Sequence, residues 1–190
     1  MRRYLTRLLA LAMLALPLAP AWADDYSAAK RVFLNAGESR DFFNKSYGYA
    51  LFPNVGKGGA GIGGAYGKGR VYVKGKSVGE TSMKQLTVGP QLGGQAYSQI
   101  VFFQNERAFK EFTRGDFEFG AEASAVAITA AANAKGSTAG STIGASGDQH
   151  HAKTVGKFRD GMATFTVAKG GLMAEASVGG QKFNYKPYRG

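Results

Sequence analysis

The feature that most restricts this chain is the glycine-dense block at residues 47–76, YGYALFPNVGKGGAGIGGAYGKGRVYVKGK. A strand holding so many residues without a Cβ must pack against something bulky or against another backbone. A short apolar run, Tyr49, Ala50, Leu51 and Phe52, leads to Pro53, which can neither continue a helix nor donate to a central ladder. Farther on, Arg70, Val71, Tyr72, Val73 and Lys74 alternate charge and bulk with the period of a strand. Gly67, Lys68 and Gly69 read as a turn, which predicts a hairpin over residues 60–74. Lys57, Lys68, Arg70, Lys74 and Lys76 stand in this frame with no acid among them. A run of lysines is most often a solvated face; a rigid basic hairpin with an anionic partner is the other reading.

Twenty-eight glycines, with many β-branched and aromatic residues, favour an antiparallel β architecture over a helical bundle. The absence of cysteine removes disulfides, a thiol nucleophile, cysteine metal ligands and the acylated cysteine of a lipoprotein. At the amino end, Arg2, Arg3 and Arg7 accompany an apolar stretch at 8–18, and Ala21-Trp22-Ala23 offers a small-residue cleavage site. That stretch is shorter than the roughly 20 residues a membrane span needs. The expectation is a signal peptide at 1–23 and an exported single domain at 24–190, in the periplasm or cell envelope. Losing three arginines and no acid takes the net charge from +11 to +8.

Residues 26–47 read as helical. Ala29, Val32, Phe33 and Ala36 fall on one face, with Lys30 and Arg31 off it. Gly37 marks a break, and Asn35 with Glu38 resembles a capping pair that restarts the helix. The second piece aligns Ser39, Phe43 and Tyr47, with Phe42 beside them and Arg40 and Lys45 elsewhere. Residues 76–84 read as a loop, and 85–88 and 91–104 as two strands turned at Gly89-Pro90 or Gly93-Gly94. Asn105 is placed to cap a short helix at 106–113 with Phe109 and Phe112 facing the core, ended by Gly115. Residues 117–132 alternate alanine with other side chains in strand fashion. The tract near 130–151 lacks bulk and reads as a mobile loop, and 161–178 as a closing hairpin turned at Lys169-Gly170-Gly171. The expected fold class is α+β and predominantly antiparallel β. It is either a single glycine-rich sheet or a partly closed barrel, covered by N-terminal helices and one short internal helix.

Catalytic machinery is not evident. His150 and His151 are adjacent, so on an extended chain they point to opposite sides. Glu106, Glu111, Asp116, Glu118 and Glu122 form an acidic cluster in sequence without a poised acid–base pair. Gly56-Lys57-Gly58-Gly59-Ala60-Gly61 fits a dinucleotide fingerprint on paper, but its glycines run on into a strand rather than a helix. Neither an enzyme nor a cofactor is expected. Nucleic acid suits a basic chain, yet export argues against it, and the aromatics read as core positions rather than a stacking platform. Anionic lipid headgroups are the polyanion most available to an exported protein, and each basic residue near such a surface contributes about 1 kcal/mol.

The 47–74 block, Gly93-Gly94-Gln95 leading to Ile100-Val101-Phe102-Phe103-Gln104-Asn105, residues 117–126, and Ala168-Lys169-Gly170-Gly171-Leu172 through Val178-Gly179-Gly180 follow a familiar order. Over residues 26–188 the chain resembles the SYLF domain, a lipid-binding module also found in yeast actin-patch proteins. The resemblance implies a non-catalytic domain that binds anionic phospholipid membranes peripherally, partly through an amphipathic amino-terminal segment. The residues expected at that surface are Lys30, Arg31, Phe33, Arg40, Phe42, Phe43 and Lys45 on the helices, the phenylalanines inserting and the cations staying at headgroup level. On the hairpin and beyond it they are Lys57, Lys68, Arg70, Lys74, Lys76 and Lys84. Some eukaryotic members bind actin, which an exported bacterial-type protein does not meet in its own cell. The chain departs from the family at Gln99, where many relatives carry an acid, and across 130–151. The alternative reading is a small outer-membrane β-barrel or envelope structural protein, since this length and alternation allow eight strands. Missing aromatic girdles, two interrupting helical segments and a chain ending in Gly190 weigh against it.

Overall fold

The computed structural model describes residues 22–128, 157–169 and 178–189. Two helices, α1 (Trp22–Asn35) and α2 (Gly37–Lys45), precede two long strands, β1 (Gly48–Val73) and β2 (Lys76–Phe103). The short helix α3 (Glu106–Phe112) and the strands β3 (Val126–Ile128), β4 (Met162–Lys169) and β5 (Lys182–Pro187) follow. The helix break expected at Gly37 is present, but Ala36 rather than Asn35 holds the cap position and no side chain caps it. Ser39 Oγ donates instead to the Phe33 carbonyl at 2.5 Å and ties the two helices at the break. α3 starts as expected, with the Asn105 side chain accepting from the Ala108 N–H at 3.0 Å.

The glycine-dense block differs from its expected form. It contains no turn at Gly67-Lys68-Gly69, and β1 runs through it without interruption for 26 residues. The turn lies at Lys74-Gly75, with φ of 50° and 78°. Val73 pairs directly with Lys76, so this is the two-residue hairpin whose twist matches antiparallel strands. The loop expected at 76–84 and the two strands expected after it are one strand, β2, of 28 residues. Gly89-Pro90 does not turn the chain because the ladder absorbs it. Pairing passes from Ala60–Leu92 to Ile62–Val88, setting three residues of β2 against Gly61, whose φ is 75°. Pro53 falls in a second register shift, between Phe52 and Val55, where the ladder is interrupted.

The sheet order is β1-β2-β4-β3, with β5 also on β2. β2 is the spine: β1 lines one edge for its whole length, while β4 and β5 share the other. β3 joins β4 in parallel; of the strand expected at 117–132, residues 117–125 are not in β3, and 129–132 lie outside the described residues. Residues 117–123 instead run irregularly beside 178–183, where Phe119 and Gln181 are linked at 3.0 Å and Phe183 N–H donates to the Phe117 carbonyl at 2.8 Å. Residues 1–21 of the signal peptide expected at 1–23, the small-residue tract with His150 and His151, and residues 170–177 of the closing hairpin lie outside the described residues.

The β1–β2 ribbon folds over on itself at residues 56–63. A Cβ added to Gly59 would fall 2.3 Å from Gly63 Cα, so only glycine permits so sharp a corner. Beyond it, the two halves of β1 meet backbone to backbone. A Cβ on Gly48 would lie 2.4 Å from the Tyr72 carbonyl oxygen, and one on Gly69 2.7 Å from that of Leu51. Between the halves sits one core, with Phe52, Val55, Val101 and Phe103 facing Ala65, Val71 and Met83, joined by Phe112 and Phe183. A second core, containing Phe33, Phe42, Leu51, Ile100, Phe102 and Phe165, lies between the first half of the ribbon and the helices α1 and α2. The architecture is α+β and predominantly antiparallel: one sheet folded toward a barrel and left open.

A buried amide network braces this fold. Gln99 and Gln181 exchange hydrogen bonds at 2.7 and 3.1 Å, Gln181 donates to Gln85 at 3.4 Å, and Gln85 donates to the Gly179 carbonyl at 3.0 Å. Gln85 and Gln99 belong to opposite halves of β2. Gln99 is therefore a neutral side chain whose donor and acceptor both find partners, where a carboxylate at this position would be charged and desolvated.

Candidate functional site

Past the corner, strict alternation sorts the second half of the ribbon into two faces. Gly63, Ala65, Gly67, Gly69 and Val71 are buried, as are Thr81, Met83 and Gln85 opposite them. The intervening residues point outward, and directly paired residues share a face. Reading from the corner toward the turn, Leu86 stands opposite Gly64, with Ile62 one step nearer the corner on the partner strand. The next row is Tyr66–Lys84–Lys182, then Lys68–Ser82–Asn184, then Arg70–Glu80–Lys186. Strands lie about 4.8 Å apart and alternate rows about 7 Å apart, so these rows form one continuous plate. Its exposed large apolar side chains are Ile62 at 66%, Leu86 at 74% and Tyr66 at 48% exposure.

Three of the thirteen residues expected at the surface, Lys68, Arg70 and Lys84, are brought together on this plate. Lys57 lies half-buried at the corner, and Lys74 and Lys76 are exposed at the far turn. Arg70 is the most constrained. Its guanidinium carbon sits 4.3 Å from the Tyr26 ring centroid on α1, and it also donates to the Tyr72 hydroxyl. Burial raises the phenol pKa of Tyr26 and Tyr72, with the Arg70 charge pulling the other way. Burial, with a smaller push from Tyr72, takes Tyr49 up to about 12.

The helix residues do not behave as one inserting face. Phe33 and Phe42 are corrected from lipid contact to core. Phe33 is fully buried, and Phe42 packs on Phe102, Phe158 and Phe165 at centroid distances of 5.6, 5.0 and 5.0 Å. The reason is that the apolar stripe of α1 and α2 has a sheet to cover, so presenting these rings to a membrane would strip that core. Phe43 is half-buried against Tyr49 and Phe102. Lys30 reaches over the Tyr49 ring at 5.9 Å, Arg40 Nε donates to the Leu34 carbonyl at 2.8 Å, and Lys45 lies 3.8 Å from Asp41. Arg31 is exposed.

Sequence reading missed Ile62, Tyr66 and Leu86, because a false turn at Lys68 broke their alternation. It also missed β5, although Lys182, Phe183, Asn184, Tyr185 and Lys186 alternate cleanly. The acidic residues are dispersed into ion pairs, Glu106 with Lys110 at 2.8 Å and Glu118 with Lys182 at 3.4 Å. Among the described residues no group of three or more His, Cys, Asp or Glu could hold a metal. Among them, too, no helix is long and apolar enough to cross a membrane.

Residues 84–187 match the family described as "Ysc84: Las17-binding protein actin regulator". The chain is also similar to "Beta cell expansion factor A" of Aeromonas veronii, 26% identical over 159 residues, or 83% of this chain and 52% of that protein. The chain thus spans about half the length of that relative. With more than half of its residues matched, including the second part of β2 and all of α3, β3 and β4, the chain belongs to the Ysc84, or SYLF, family.

Proposed function

We propose that this chain is a non-catalytic, exported module that binds anionic phospholipid membranes peripherally, with the outer plate of β1, β2 and β5 as its contact surface. The observation that carries this is the set of three rows holding Lys68, Arg70, Lys84, Lys182 and Lys186 against two acids, Glu80 and the Glu118 that is bridged to Lys182 and lies 3.4 Å from it. Family membership supports a lipid-binding or actin-patch-related module. An exported chain meets headgroups rather than actin, which favours the first. At about 1 kcal/mol for each basic residue near an anionic surface, this plate holds a folded domain reversibly. Arg31, Arg40 and Lys45 on the helices add charge without lifting Phe33 or Phe42 from the core.

Vesicle flotation tests the proposal. Changing Lys68, Lys84, Lys182 and Lys186 to Gln should leave the circular dichroism spectrum unchanged and reduce flotation with phosphatidylglycerol-containing vesicles. Binding by the wild-type chain should weaken as salt shortens the screening length toward about 8 Å at physiological ionic strength. Undiminished flotation of the folded variant refutes the plate as the lipid surface.

A further inference from the structure

The plate carries more than charge, and its apolar side chains are not scattered. Ile62, Leu86 and Tyr66 are consecutive diagonal neighbours across the β1–β2 ladder, and all three sit at the corner end. Leu86 is uncovered for a specific reason: the residue paired with it is Gly64, which has no side chain to lay over it. The corner itself is exposed backbone at Gly56, Gly58, Ala60 and Gly61, so nothing bulky on β1 shields the cluster from a flat partner. Immediately behind Ile62 and Leu86 comes the row in which Tyr66 stands beside Lys84 and Lys182, the latter 3.4 Å from Glu118, and behind that Lys68.

We infer that this corner is a shallow hydrophobic anchor: Ile62, Leu86 and Tyr66 enter the interfacial region of an anionic bilayer while Lys84, Lys182 and Lys68 stay at the phosphates. The inference rests on the proposed membrane function and assigns it a second, salt-independent component. Charge complementarity selects the occupant. An apolar tip backed by a cationic row matches the cross-section of an anionic leaflet, whose acyl boundary lies beneath its phosphates. The tyrosine fits the same geometry, since its ring is at home at the headgroup boundary. The anchor belongs to the rigid ribbon and not to the helices, whose Phe33 and Phe42 are occupied in the core.

The absence of cysteine allows a direct test. Leu86→Cys and, separately, Ile62→Cys are labelled with an environment-sensitive fluorophore, with Asn44→Cys on α2 as the reference. Vesicles of phosphatidylcholine mixed with phosphatidylglycerol should shift the emission of both corner labels to the blue and leave the Asn44 label in water. The unlabelled double variant Ile62→Ser/Leu86→Ser should keep its fold and lose roughly ten-fold or more of the binding that survives high salt. Labels that stay aqueous on captured vesicles overturn the anchor and leave the basic plate standing. No capture of the wild-type chain by these vesicles removes the membrane proposal and the anchor together. A blue shift that grows with protein concentration without vesicles assigns the corner to a second copy of the chain, and also overturns the anchor.

Discussion

Gly69→Ala tests the folded-over ribbon where one half of β1 meets the other. In an open strand the change favours folding by about 0.5–1 kcal/mol, because alanine has less backbone freedom to lose. At position 69 the new Cβ falls 2.6 Å from Phe52 Cδ1, 2.8 Å from its Cε1 and 2.7 Å from the Leu51 carbonyl oxygen. Comfortable carbon contacts begin near about 3.5 Å. Either the halves of β1 separate by roughly 1 Å, or Phe52 leaves its place. Neither is free: Phe52 is fully buried and packs on Phe183 at 5.7 Å, and Leu51 is held in the ladder opposite Ile100. Overpacking of this kind costs about 1–3 kcal/mol, which outweighs the entropic gain.

The expected net loss is therefore about 1–2 kcal/mol, read from urea denaturation as a lower midpoint with an unchanged slope. Gly56→Ala is the matched reference on the same strand. Its new Cβ meets nothing within 4 Å, and the substitution should be neutral or stabilising by up to about 0.5 kcal/mol. If the two variants unfold at the same midpoint, the halves of β1 are not in contact at Gly69. The account of the glycine density then fails with them.

Phe42→Ser should lose about 3–5 kcal/mol by emptying a site among three aromatic rings; a variant that melts normally yet floats poorly would return this ring to the membrane. Gln99→Leu should cost about 1–3 kcal/mol by leaving the Gln181 amide buried without its main partner, and adding Gln181→Leu should recover part of that loss in a double-mutant cycle. Tyr49 has a folded pKa of about 12, above the ordinary value of 10.0, so its contribution is complete below pH 10 and declines as pH rises from about 10 to 12. Ultraviolet titration should show one late phenolate that is absent from Tyr49→Phe. That variant should keep its stability at neutral pH, because among the described residues the buried hydroxyl has no hydrogen-bond partner to lose.

The sequence was legible wherever a residue acts through its own backbone neighbourhood. The break between α1 and α2, the Asn105 cap and the central run Ile100 to Phe103 all follow from local pattern. It misled where glycine acts at a distance. Gly67 and Gly69 look like turn residues beside Lys68, yet they are small because Asn54, Val55, Leu51 and Phe52 lie against them from earlier in the same strand. The real turn at Lys74-Gly75 was overlooked because lysine is an unusual residue at positive φ. Pro53 and Pro90 looked like strand ends and turned out to be accommodated at register shifts. For the site, cation positions were visible one by one, but which of them share a face depended on unbroken alternation from Ile62 to Arg70.

That dependence explains why the binding plate cannot be found in the hairpin alone. On the outer face of β1 and β2, Lys68, Arg70 and Lys84 against Glu80 leave a net charge of only +2. β5, a hundred residues later, docks beside β2 and places Lys182 and Lys186 in the same rows, raising the face to +3 with the Glu118 that pairs with Lys182 counted. Lys186 joins the row in which Glu80 stands beside Arg70, so β5 adds charge where the hairpin is weakest. The alignment is fixed from inside, by Phe183 in the core and by the Thr81 hydroxyl donating to the Asn184 carbonyl at 2.8 Å. Gln181, the residue just before β5, is held by the amide network that also grips both halves of β2. The surface charge is thus a product of core packing, and loosening the Gln99–Gln181 brace should weaken vesicle binding even though neither glutamine reaches the surface.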